Sequence, residues 1–167
     1  LLGICLPTAW FLSRWKSSWK IVVDALVGLP LVLPPTVIGF YLLIAMADGG
    51  VIGTMTSFMG LEPLAFSFGG LVLGSVIYSL PFVMQPLQRS FEQIDPRLLE
   101  FCWVAGKTPL QAFYKVILPT CQKAVISAGV LGFAHTLGEF GVVLMIGGNI
   151  PDKTRVASIA IFDLVES

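Results

Sequence analysis

The segment Asp95–Pro119, DPRLLEFCWVAGKTPLQAFYKVILP, is a charged, proline-bounded stretch between long apolar runs. Asp95 followed by Pro96 is typical of a helix start, because aspartate accepts a hydrogen bond from the first turn and proline there loses no donor that the helix needs. Gly106 is a typical helix stop. The pattern therefore predicts a short helix that begins after Asp95 and ends at Gly106.

A second helix start follows directly in the same segment. Thr108, Pro109 and Gln111 supply the cap, the first-turn proline and the third-position glutamine of a capping box, and Pro119 limits the other end. The apolar residues of this helix have the spacing of one face, namely Leu110, Phe113, Tyr114 and Ile117. We predict helix, glycine turn, helix, which is either a loop packed on the protein's own membrane domain or a docking element for a partner.

The composition of the whole chain indicates an integral membrane protein. Hydrophobic residues make up 56% of the sequence and charged residues only 12%, with a mean hydropathy of +0.88. Soluble domains contain about a quarter charged residues. Ten basic and ten acidic residues cancel, so net charge gives no reason to expect a nucleic-acid partner. Cys5, Cys102 and Cys121 have neither paired nor metal-ligand spacing.

The apolar runs predict a polytopic, all-α membrane helical bundle in a single domain, residues 1–167. A helix needs about 20 residues to cross the hydrocarbon core. The predicted segments are a partial span at 1–12, spans at 21–47, 64–87 and 124–146, and a partial span at 156–167. We predict a polar, glycine-bearing loop at 48–63 and a connecting loop at 88–123. Because the first and last segments are too short to cross, we expect the chain to be truncated at both ends.

The basic residues are concentrated in two loops that alternate with the spans. They are Arg14, Lys16 and Lys20 in the first loop and Arg89, Arg97, Lys107, Lys115 and Lys123 in the loop 88–123, against Lys153 and Arg155 on the other side. Loops rich in lysine and arginine remain in the cytosol. The loop 88–123 is therefore predicted to be cytosolic, where we expect no disulfide.

The span 21–47 contains Pro30, Pro34 and Pro35 near its middle. Each proline removes a backbone donor, so the helix must kink or break there. Broken backbone at that depth has to be covered by protein or line an aqueous cavity. Either an ordinary proline kink or an element of a translocation pathway fits this pattern, and three prolines in so short a run favour the pathway.

The span 64–87 contains Gly70 and Gly74 at GxxxG spacing. This spacing permits close helix approach, either between two copies of the chain or within one copy.

The span 124–146 contains His135 and Glu139, which are four residues apart and share a helix face. A zinc-protease site is excluded because the chain has one histidine and no HExxH motif. A charge in a span is costly, so Glu139 must face protein or water. Gly138 and Gly141 flank it and favour a local break or tight packing. Glu139 is then either a satisfied structural acid or a functional group.

The segment Asp95–Pro119 resembles the cytosolic "EAA" loop of ABC-transporter permeases. The resemblance rests on Glu100, on Gly106 six residues later, on Phe113, and on the closing Ile117-Leu118-Pro119. Phe101 and Cys102 replace the two alanines of the motif. The runs LPLVLPPTVIGF (29–40) and LGEFG (137–141) extend the resemblance over the chain and make it similar to the molybdate permeases of type I importers.

The resemblance implies a multi-pass protein of the plasma (bacterial inner) membrane that forms a homodimer. Its expected partners are two cytosolic ABC ATPase subunits, an extracytoplasmic oxyanion-binding protein, a second permease copy and membrane lipid. The EAA loop would be the coupling helix, with Glu100 paired to a basic residue of the ATPase, Gly106 at the turn, Phe113 as an anchor, and Ile117, Leu118 and Pro119 closing the motif. Such a permease has no catalytic residue, cofactor or metal of its own.

On the substrate side, a tetrahedral dianion is bound by N–H donors, hydroxyls or helix N-termini. Thr36, just after Pro34 and Pro35, offers a hydroxyl and a nearby helix N-terminus, whereas Glu139 would repel the anion and is read as structural or as part of a gate. Molybdate is the expected substrate. The alternatives are a sulfate, thiosulfate or tungstate permease and, from another class, an intramembrane enzyme that uses His135 and Glu139.

Overall fold

The computed structural model describes residues 1–166, excluding the side chain of Glu166; the predicted end of the last segment at Ser167 lies outside this range. Within the described residues the regular structure is helical. The helices are α1 (Leu2–Arg14), α2 (Trp19–Val32), α3 (Pro35–Met46), α4 (Val51–Phe58), α5 (Phe68–Glu92), α6 (Pro96–Val104), α7 (Pro109–Ala112), a π-helical turn (Phe113–Ile117), α8 (Leu118–Thr120), α9 (Gln122–Gly138), α10 (Gly141–Gly147) and α11 (Ala157–Glu166). The all-α prediction is confirmed.

Helices long and apolar enough to cross a membrane are present in the described residues. Two segments meet this test, Pro35–Phe58, which contains α3 and α4, and Phe68–Glu92, which is α5. A third candidate is the pair Pro109–Thr120 and Gln122–Gly138, which is bent by 77°. These segments agree with a multi-pass membrane protein, and the assignment of individual spans remains a prediction.

The chain divides into two compact units. The first comprises Leu1–Val27 and Phe82–Phe133. Its interior contains an aromatic cluster in which the Trp10 ring lies 5.5 Å from that of Phe91 and 5.6 Å from that of Phe113. The approach of α9 to α5 in this unit is close, since a Cβ on Gly132 would lie 2.5 Å from the Val83 side chain.

The second unit comprises Gly28–Pro81 and the chain from Ala134 onward. In its core, α3 packs on α10 through Ile38, Met46, Val142 and Ile146. Gly74 of α5 is part of this packing, because a Cβ there would lie 2.5 Å from Ile146 Cδ1. The predicted close approach at this glycine therefore occurs within one copy of the chain.

Two predicted helix breaks are present. The helix over residues 21–47 is interrupted between Val32, where α2 ends, and Pro35, where α3 begins. The apolar run 124–146 is interrupted between Gly138 and Gly141. Each break occurs where proline or glycine disfavours continuation of the backbone hydrogen-bond ladder.

The region 48–63, expected to be a glycine-bearing loop, contains helix α4 instead. Two of its threonine hydroxyls donate hydrogen bonds to backbone carbonyls one turn earlier. Thr54 Oγ1 donates to the Gly50 carbonyl at 2.8 Å, and Thr56 Oγ1 donates to the Gly53 carbonyl at 2.9 Å. Threonine and serine hydroxyls that bond back in this way are compatible with helix. The loop prediction is wrong over these residues because it treated glycine and hydroxyl content as a loop signal.

Candidate functional site

The first helix of the segment Asp95–Pro119 has the predicted boundaries. The Asp95 carboxylate accepts a hydrogen bond from Arg97 N at 2.9 Å, which caps α6. At the other end Gly106 has φ +70°, its N–H donates to the Trp103 carbonyl, and Lys107 N donates to that of Cys102. This pair of bonds is a Schellman motif, which requires a left-handed residue at the position of Gly106.

The second half of the segment begins at the predicted capping box. Gln111 N donates to Thr108 Oγ1 at 3.3 Å, and Thr108 N donates to Gln111 Oε1 at 3.2 Å. The chain then passes through the π-helical turn Phe113–Ile117 into α8, which contains Pro119. A local π turn is one way to accommodate a proline that cannot donate to the preceding turn.

The prediction that Leu110, Phe113, Tyr114 and Ile117 form one apolar face is wrong. Ile117 is fully buried and Phe113 half-buried, with the Phe113 ring in the aromatic cluster with Trp10 and Phe91, whereas Leu110 and Tyr114 are exposed. The π turn changes the angle between successive side chains, so ordinary helical spacing does not hold through it. In this structure Phe113 anchors the segment to its own chain.

The outer surface of the segment is apolar. Five large hydrophobic side chains are more than half exposed, and we call them the apolar patch: Phe101, Trp103, Val104, Leu110 and Tyr114. They lie on both sides of the Gly106 turn, and Glu100 beside them is exposed. Exposed apolar patches of this kind mark interaction sites. The side chain at Phe101, where the EAA pattern has alanine, belongs to this surface, whereas Cys102 is buried.

The second candidate site lies in the other unit, where the two helix breaks meet. A Cβ on Gly141, at the start of α10, would lie 2.8 Å from Pro35 Cβ and 3.6 Å from Thr36 N, at the start of α3. The structure thus brings Pro35 and Thr36, which were predicted to lie in a pathway, against Gly141, two residues after Glu139.

A pocket of about 410 Å³ opens beside this contact. It is lined by Pro35, Tyr78, Ala134, His135, Gly138, Glu139, Phe140 and Gly141. Tyr78 was missed by sequence reasoning, and its only signal was a polar group in the apolar run 64–87. Pro34, also predicted for the pathway, is exposed and is the residue that precedes α3.

The two carboxyl oxygens of Glu139, one of the residues that line this pocket, have different surroundings. Oε1 accepts a hydrogen bond from Val142 N at 2.6 Å, so the side chain caps the first turn of α10. Oε2 is buried and has no hydrogen-bond partner among the described residues. The residue as a whole is 5% exposed. The capping contact supports the structural reading of this acid.

His135 is held by hydroxyl groups. Its Nδ1 lies 3.0 Å from Ser79 Oγ, which also lies 3.0 Å from Thr136 Oγ1. The Tyr78 ring is tilted against the imidazole with centroids 4.9 Å apart. No group of three histidine, cysteine or acidic side chains in the described residues is placed to hold a metal ion. The geometry fits a packed polar cluster in an apolar helix bundle.

These features define an integral membrane subunit with a capped helix pair that exposes an apolar surface and a pocket at paired helix breaks. The chain belongs to the family of binding-protein-dependent transport system inner membrane components, whose model matches residues 3–163. It is therefore a multi-pass subunit of a membrane transporter and not an enzyme, which rules out the intramembrane-enzyme alternative. ABC permeases of this family work with an ATPase and a substrate-binding protein.

Individual relatives match nearly all or all of the chain. The molybdenum transport system permease protein ModB of Azotobacter vinelandii is 54% identical over 167 residues, which are 100% of this chain and 74% of that protein. ModB of Haemophilus influenzae is 34% identical over 99% of this chain and 72% of its own length. A probable sulfate transport system permease protein, cysT, of Chlorella vulgaris is 36% identical over 94% of this chain and 59% of its own length.

Proposed function

We propose that this chain forms the membrane path of an ATP-driven molybdate importer. The observation that supports this substrate is the 54% identity to a molybdenum transport permease over the whole chain. Sulfate is the second candidate, because permeases named for sulfate transport are 33–36% identical to the chain. Tungstate shares the geometry of molybdate and is proposed to use the same path.

The segment Asp95–Pro119 is proposed to be the cytosolic coupling element that docks in a groove of the ATPase. A helix-in-groove contact requires a rigid element with an exposed apolar surface. The capped ends of α6 and α7 supply the rigidity, and the apolar patch supplies the surface. Glu100 is proposed to pair with a basic residue of the ATPase, and Gly106 to shape the turn between the two helices.

The closing residues of the motif have an internal role in this proposal. Phe113 and Ile117 face the interior of their own unit, and Leu118 and Pro119 begin the connection toward α9. Motion of the docked segment would therefore be transmitted to α9 through packed side chains, which behave as stiff contacts. The path itself is proposed to pass Pro34, Pro35, Thr36 and Glu139, in a homodimer embedded in lipid.

Co-purification tests the coupling proposal. In the full-length protein, Val104→Asp places a charge in the apolar patch, and we expect it to abolish recovery of the ATPase with the permease. Glu100→Lys should weaken recovery through charge reversal. Glu62→Lys makes the same charge reversal at an exposed acid outside the segment and should have no effect. If Val104→Asp retains the ATPase and supports transport, the docking proposal is wrong.

Substrate identity is tested with the full-length permease, its ATPase and its binding protein in proteoliposomes. We expect molybdate and tungstate to stimulate ATP hydrolysis and uptake, and a large excess of sulfate not to compete. Uptake of sulfate in preference to molybdate would replace the first candidate with the second.

A further inference from the structure

The loop between α1 and α2, residues 15–18, is held at the end of a candidate membrane span. On one side of the loop, Arg14 Nη2 donates to the Phe91 carbonyl at 3.3 Å. On the other side, Lys20 Nζ lies 2.6 Å from Glu92 Oε1. Both contacts are made to the last two residues of α5, a candidate span of 25 residues. Since the hydrocarbon core takes about 20 residues of helix, we expect the charged last turn of α5 and this loop at the membrane surface.

The loop and its flanks carry positive charge that no carboxylate neutralises. Glu92 is already paired with Lys20 and, at 3.5 Å, with Arg89. Arg14 and Lys16 have no ion-pair partner in the described part of the chain, and Lys16 is exposed. A cluster of basic residues directly beside a membrane span attracts anionic headgroups. The partner of this loop is therefore expected to be anionic.

The helix that follows the loop exposes apolar side chains. No residue of α2 is buried. Trp19, its first residue, is 69% exposed, and the next large side chains of its first half that lie open are Ile21, Val22 and Leu26. Tryptophan prefers the boundary between headgroups and hydrocarbon, because its ring is apolar and its N–H is polar. A ligand that covers both surfaces has a negative charge at one end and apolar chains at the other.

We propose that the α1–α2 loop and the first half of α2 bind an anionic phospholipid, with Lys16 at the headgroup phosphate and Trp19 beside the upper acyl chains. A second copy of the chain fits this surface less well. A two-fold interface pairs one surface with itself, so it would set two positive loops side by side. The inference is independent of the proposed substrate and of the coupling role of the segment Asp95–Pro119.

Quenching of tryptophan fluorescence by brominated phospholipids tests the site. The full-length permease with its ATPase is reconstituted in phosphatidylcholine bilayers that contain brominated phosphatidylglycerol or brominated phosphatidylcholine at the same mole fraction. The part of the signal that is lost in Trp19→Phe belongs to Trp19. We expect the relative association constant at Trp19 to favour phosphatidylglycerol by about fivefold, as expected for one lysine at an anionic surface. Equal quenching by the two lipids, or none at Trp19, would overturn the proposal.

Charge variants test the role of the loop. We expect Lys16→Gln to remove most of the preference for phosphatidylglycerol and Lys16→Arg to keep it. Lys153→Gln is the matched control, because it removes the same charge from another exposed lysine, in the second unit, and should have no effect. The preference should also fall as salt rises. If Lys16→Gln keeps the full preference, or if Lys153→Gln lowers it equally, the α1–α2 loop is not the site.

A competition experiment separates a lipid from a soluble anion. Inorganic phosphate shares the charge of the headgroup but has no acyl chain to cover α2. We expect sodium phosphate, added at constant ionic strength, to leave the quenching of Trp19 by phosphatidylglycerol unchanged. Displacement of the lipid by phosphate would show a site for soluble anions and overturn the assignment to a phospholipid.

Discussion

At the scale of single residues, Gly141 is the position where the two helix breaks touch. A side chain there would collide with Pro35 Cβ, because even an added Cβ would lie 2.8 Å from it. Gly138 is the last residue of α9, and a Cβ added there would have no atom within 4 Å. Of the two glycines in the run 137–141, only Gly141 is therefore required by packing.

We predict that Gly141→Ala lowers the free energy of unfolding by about 1–3 kcal/mol, the usual cost of overpacking. The thermal midpoint of the purified permease is the measurement. Gly138→Ala is the matched control and should not be destabilising, since alanine also favours helix over glycine. Equal midpoints for Gly141→Ala and the unaltered protein would contradict the packing of α3 against α10.

Gly106 is constrained by its backbone and not by its neighbours. Its φ of +70° lies in the left-handed region, and the space around it is open. We predict that Gly106→Ala destabilises the turn by about 1–2 kcal/mol. Gly106→Asn should cost less because asparagine tolerates this conformation.

The measurement for Gly106 is hydrogen exchange at the amides of Gly106 and Lys107, which close the Schellman motif. Faster exchange in the alanine variant than in the asparagine variant is expected. The turn geometry would be contradicted if the two variants exchanged at the same rate as the unaltered protein.

At the scale of elements, α2 is tied to the end of α5 by a polar network. Lys20 Nζ lies 2.6 Å from Glu92 Oε1, and Gln88 Nε2 donates to Asp24 Oδ1 at 3.0 Å. The Lys20 and Glu92 side chains are only 22% and 26% exposed. Arg89 Nη1 also lies near Glu92, at 3.5 Å, but that side chain is 81% exposed. Screening by water makes the second pair weaker than the first.

We predict that Lys20→Met lowers the free energy of unfolding by about 0.5–1 kcal/mol, the range of a partly screened ion pair. Arg89→Met removes the exposed partner of the same glutamate and should have no measurable effect. Denaturation at low and high salt measures both, and the Lys20 effect should become smaller as salt rises. A larger loss in Arg89→Met than in Lys20→Met would contradict the geometry of this network.

In the segment Asp95–Pro119, the ends of the helices were predictable from the sequence, but the contacts of their side chains were not. The caps at Asp95, Thr108 and Gly106 were predictable because each depends on groups within a few positions along the chain. The outward direction of Leu110 and the inward direction of Phe113 were not, because a π turn and the ring of Trp10 decide them. Local sequence therefore predicts where these helices begin and end better than what they touch.

At the scale of the whole molecule, the orientation of the chain in the membrane follows from charge. The proposed cytosolic loop 88–123 contains five of the ten basic residues, and the asymmetry of lysine and arginine determines orientation during insertion. The native cysteines are all buried, so an introduced cysteine gives a clear labelling signal.

We predict that Gln93→Cys is labelled by a membrane-impermeant maleimide only in inverted vesicles, and Glu62→Cys only in intact spheroplasts. Both positions are exposed, so access depends on the side of the membrane. Labelling of both cysteines from the same side would contradict the proposed topology and the coupling role of the segment with it.

The sequence by itself determined the membrane class, the capped helix pair and the positions of both helix breaks. These depend on composition and on interactions between residues no more than about four apart, which a linear pattern contains. Only the tertiary structure decided that Gly141 packs on Pro35 and that Phe113 faces Trp10. Those contacts join residues distant along the chain, and their existence depends on how complete helices pack.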